Sequence, residues 1–140
     1  TCKPFTLLIM EKEFIPYEQA LELKELGFDE PCFATYEKLN ADILIQDATR
    51  PFINTNSFLS PFEDQDGYTE QCTAPLYQQA FRWFRENHNL DHFVQHHTDW
   101  PNETYFSMTK ESTWDVTSHE TYEEAELICL KKLIEIVKNK

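Results

Sequence analysis

A chain of 140 residues, 41% hydrophobic and 14% aromatic, can bury a core without disulfide or metal staples, which excludes the disordered and disulfide-scaffold classes. Its 25 acidic and 12 basic residues give a formal net charge of −13, which repels phosphate backbones and anionic membranes and argues against duplex nucleic acid or a membrane as partner. Only 2 glycines are present, so P-loop and dinucleotide-binding folds, which need glycine-rich phosphate loops, are excluded by count.

Residues 1–14 read as an N-terminal arm. Phe5, Leu7 and Ile9 alternate with Thr6 and Leu8 as a short edge strand would, and Met10 opens a stretch, MEKEF, that would itself make a natural start. Part of the arm is therefore expected to be an upstream extension. The apolar run at residues 6–10 is too short for a secretory signal or a membrane span. Pro16 opens the first clear helix, expected over residues 17–26, with Ala20, Leu21, Leu23 and Leu26 apolar and Gly27 as its stop.

Residues 32–36 and 42–46 read as an antiparallel hairpin. Residues 47–73 read as a long loop that is anchored to the core by its aromatics, Phe52, Phe58 and Phe62 among them, is functional, or conceals a short element. Residues 74–86, APLYQQAFRWFRE, form the element around which the chain is organised. Tyr77, Ala80, Phe81 and Phe84 recur at the spacing of a buried helical stripe, widened by Leu76 and Trp83, while Gln78, Arg82 and Arg85 fall on the opposite face. Thr73 or Ala74 is expected near its N-cap and residues 87–89 at its end.

Three polar-aromatic runs at residues 91–97, 103–110 and 111–118 have the spacing of an antiparallel meander. In the last helix Thr121 and Glu124 make a capping box. Ala125, Ile128, Cys129, Leu130, Leu133, Ile134, Ile136 and Val137 make a wide apolar arc, and Lys131, Lys132 and Lys138 complement the C-terminal end of the dipole. The three helices share a start: Tyr17-Glu18-Gln19-Ala20, Tyr77-Gln78-Gln79-Ala80 and Tyr122-Glu123-Glu124-Ala125. The intervals fit no solenoid period, so this is one solution to helix initiation used three times.

Cys2, Cys32, Cys72 and Cys129 form no C-x-x-C pair and read as buried or reduced thiols of a cytoplasmic protein. His88, His92, His96 and His97 lie within ten residues, and H-x-x-x-H occurs twice, a first step toward a zinc site if helical. On a strand the same spacing is too wide for shared ligation, so His88, His92 and His96 stand as weak metal candidates beside the reading of surface histidines. No serine has a glycine elbow, no cysteine a catalytic context, and no cofactor is implied. Gln78, Arg82, Trp83 and Arg85 are the candidate ligand-binding set: arginine reads carboxylates and phosphates bidentately and tryptophan stacks on bases. The alternative is that the arginines make surface ion pairs while Trp83, Trp100 and Trp114 fill the core.

Residues 18–33, 74–86 and 121–140 together resemble a group of small uncharacterised proteins of Bacteroides-type bacteria and their phages. The resemblance covers about a third of the chain, and it implies a phage or mobile-element accessory protein acting in the bacterial cytoplasm. The expected fold is α+β, a single domain over residues 1–140 in the order α-β-β-α-β-β-β-α, with about three helices on one face of an antiparallel sheet. The expected function is non-catalytic binding of a host protein. The alternatives are sequestration of a small anionic, nucleotide-like ligand by the arginine and tryptophan set, and a metal-dependent hydrolase built on the histidines. Self-association as a homo-oligomer is compatible with each.

Overall fold

Pro16 locks the entry to the first helix. With φ −63° and ψ 156° it holds the chain extended at the N-cap, and α1 follows as Tyr17–Glu25. Gly27 closes the helix at φ 96°, where its N–H donates to the Lys24 carbonyl and the Phe28 N–H donates back to Leu23, both at the distances of ordinary hydrogen bonds, 3.1 and 3.0 Å. This is a Schellman motif, and its apolar partners Leu23 and Phe28 are both buried. The computed structural model describes residues 12–37, 42–45, 63–64, 67–68, 71–98, 104–110 and 114–140. Two compact units divide the chain, residues 1–76 and 77–140.

In the first unit, β1 (Ala34–Glu37) pairs antiparallel with β2 (Asp42–Ile45), giving the expected hairpin. Two further strands, β3 (Glu63–Asp64) and β4 (Gly67–Tyr68), form a short antiparallel ladder, and β5 (Gln71–Thr73) adds to the free side of β1. Part of the expected long loop is therefore strand. Thr73 does not cap the following helix: it is paired with Thr35 across β1, and Ala74 donates its N–H to the Ala34 carbonyl. The expectation of a cap there fails because both residues belong to the strand pairing and the helix starts only at Tyr77. Phe14, at the end of the expected arm, is buried and bridges Leu76, while Tyr36 donates its hydroxyl to the Ile15 carbonyl. The arm's Phe5, Leu7 and Ile9, and the loop's Phe52, Phe58 and Phe62, lie outside the described residues. Cys32 and Cys72 are buried free thiols, and burial pushes Cys32 up to about 12 despite the hydrogen bond from Thr73.

In the second unit, α2 (Tyr77–His88) is followed by β6 (Asp91–His97), β7 (Thr104–Lys110), β8 (Trp114–His119) and α3 (Tyr122–Lys138). Asn89, at φ 54°, makes the left-handed turn out of α2, a conformation asparagine tolerates better than most residues. The three strands are the expected antiparallel meander in the order β6-β7-β8. Thr121 caps α3 as expected, its hydroxyl accepting from the Glu124 N–H at 3.2 Å. Ala125, Cys129, Leu130, Leu133 and Ile134 are buried, and α3 packs across all three strands and against α2. The α+β class and the antiparallel pairing are thus as the sequence predicts, with the described strands divided among three sheets. Among the described residues no helix is long and apolar enough to cross a membrane.

Candidate functional site

The two faces of α2 separate cleanly. Tyr77, Ala80, Phe81, Trp83 and Phe84 are buried, whereas Gln78, Arg82, Arg85 and Glu86 are exposed. Positions 78, 82 and 85 fall at i, i+4 and i+7, so Gln78 and the two arginines form one solvent-facing stripe. Trp83, the fourth member of the expected set, is only 5% exposed and does not join them. Its ring lies edge-on to Phe84 and His88, with centroids 5.1 and 4.9 Å apart. The structure therefore brings Gln78, Arg82 and Arg85 together and turns Trp83 into the core. Trp100 lies outside the described residues.

The histidines are held by three different aromatic neighbours. His92 stacks on Phe81 at 3.5 Å and 15°, which fastens β6 to α2. Burial there, reinforced by the positive charge of Arg85 and opposed by Asp91, lowers His92 to about 4, so the ring is neutral at pH 7. His96 is exposed and stacks on Tyr105 at 4.5 Å and 11°. His88, at the end of α2, lies against Trp83, and burial with the charge of Lys140 lowers its pKa. Strand alternation puts His92 and His96 on one face of the sheet. Among the described residues no group of three histidine, cysteine or acidic side chains is placed to hold a metal ion.

The register also defines features that pattern reading missed. His96, Tyr105 and His119 form one cross-strand row, and Tyr122 at the start of α3 meets Tyr105 edge-on at 6.0 Å. With Phe81 on His92, this shows that both helices approach the face carrying His92, His96 and Tyr105. Phe93 stands on the opposite face and is 56% exposed. The alternation of Phe93, Gln95 and His97 with His92, Val94 and His96 was visible in the sequence, but not which set faced the helices.

No family model matches the chain, and no curated protein or solved structure matches it either. The site must be read from its own chemistry.

Proposed function

We propose that the protein is a non-catalytic binding protein of phage or mobile-element type that engages a host protein through the solvent face of α2. The observation that supports this is the exposed Gln78, Arg82 and Arg85 stripe on a chain of net charge −13. Two arginines one turn apart offer paired planar donors for carboxylates, so the reading names a partner surface rich in aspartate or glutamate. The solvent side of a helix is convex. Small ligands are held in concave sites that bury most of their surface, and Trp83, the aromatic member of the expected set, is turned inward, away from the arginines. A convex stripe suits contact between two protein surfaces. The rest of the acidic surface orients the partner by repelling acidic patches elsewhere.

Affinity capture from a Bacteroides-type lysate, with the wild-type chain and the Arg82→Glu, Arg85→Glu double variant as baits, tests this reading. The wild type is expected to retain a host protein in near-equal molar amount. The double variant is expected to lose at least 90% of it, because truncating or reversing arginine anchors commonly removes about 2 kcal/mol or more of binding energy. Equal retention by both baits would contradict the assignment of α2.

A further inference from the structure

The outer face of α2 is a row of donors with a fixed step. The inner face is anchored along its length, because Tyr77, Ala80, Phe81, Trp83 and Phe84 are all buried, and the Asn87 side chain donates to the Trp83 carbonyl at 3.1 Å in the last turn. The exposed Gln78, Arg82 and Arg85 are therefore presented in one orientation. At about 1.5 Å per residue, Arg82 stands about 6 Å along the axis from Gln78 and Arg85 about 4.5 Å farther, and the three positions fall within about 60° of arc. We infer that the occupant of this row is an acidic α-helix of another protein, lying along α2 with carboxylates three and four residues apart on its facing side. The inference rests on the reading of α2 as the contact surface and names the element that meets it.

Step and charge both select that occupant. On a second helix, side chains three and four residues apart reproduce the steps of the row, so each carboxylate meets one donor of α2, and the two guanidinium forks can each be taken bidentately. On an extended strand the residues of one face recur every about 6.7 Å, which carries the third carboxylate about 3 Å past Arg85. Glu86 narrows the fit further. It is exposed and lies about 80° round the helix from Gln78, beside Arg82, so acids displaced toward that flank meet a like charge and the favourable line is the row itself. A second copy of this chain is disfavoured as the source of the helix, because two chains of net charge −13 repel each other.

Three synthetic alanine–glutamine peptides of about 20 residues, each with three glutamates, test this when titrated into the full chain at about 50 mM salt and followed by amide chemical shifts. In the first the glutamates stand at i, i+4 and i+7. In the second they are dispersed around the helix, and the third keeps the first spacing but is broken by prolines between the glutamates. The first is expected to bind about five-fold or more tightly than either of the others, to shift the amides of α2, and to lose that binding in the Arg82→Glu, Arg85→Glu variant. Equal binding of all three by the wild type, lost in the variant, overturns the helical partner while leaving the reading of α2 as an acid-binding surface in place. Binding that survives the double variant, or no binding of any peptide, overturns both. Affinity for the first peptide that falls as the chain is concentrated would show the row taken by a second copy and overturn the assignment to another protein.

Discussion

His92 is the residue whose chemistry the fold alters most clearly. Its neutral ring is stacked on Phe81, and its pKa falls from 6.5 to about 4 through burial first and the Arg85 charge second. Because the folded value is depressed, the unfolded chain binds the proton more tightly. The stabilising contribution is therefore fully present above pH 6.5 and is lost as pH falls from there toward 4. Allowing for partial exposure of the ring, the loss is about 2 kcal/mol. Urea unfolding at pH 7.5 and pH 4.5 should show this decrement in the wild type and a smaller one in His92→Phe, which keeps the stack and removes the proton site. An equal decrement in both would reject His92 as its source. Gly27 gives a second prediction at this scale. An added Cβ would meet nothing within 4 Å, so the cost of Gly27→Ala comes from φ 96° alone and is about 1 kcal/mol. An unchanged urea midpoint would contradict the Schellman closure.

At the level of elements, the helices were the most legible part of the sequence. Tyr17, Tyr77 and Tyr122 are indeed the first residues of α1, α2 and α3, and Ala20, Ala80 and Ala125, three positions on, are all buried. Each tyrosine meets another aromatic ring, Tyr36, Phe81 and Tyr105 respectively, while each alanine lets the backbone approach its neighbour. The repeated start thus has a packing cause. Thr121→Ala should cost about 1 kcal/mol, because it orphans the Glu124 N–H, and should raise hydrogen exchange in the first turn of α3 without affecting its last turn. Strands were less legible. The meander could be read from spacing, but β3, β4 and β5 could not, because two- and three-residue strands carry too few side chains to show alternation, and β5 exists through its pairing with β1. The two faces of α2 were legible in the same measure: period 3.6 separates Arg82 and Arg85 from the core, and it equally assigns Trp83 to the widened apolar stripe.

For the whole molecule, a net charge of −13 sets what each surface can do. Contact through Arg82 and Arg85 is attractive toward acidic partners and weakens as salt screens it. Raising salt from about 50 to 500 mM should accordingly loosen the partner complex. A partner complex indifferent to salt over that range would contradict contact through the two arginines.

Native mass spectrometry of gently purified protein, with denaturing spectra alongside, distinguishes an arginine stripe that engages a protein from one that captures a small anion. On the proposed function the mass of the assembly is that of polypeptide alone, and the host protein is missing from the Arg82→Glu, Arg85→Glu variant. A small non-covalent mass, lost on denaturation and weakened by Arg82→Ala or Arg85→Ala, would contradict it and establish sequestration instead.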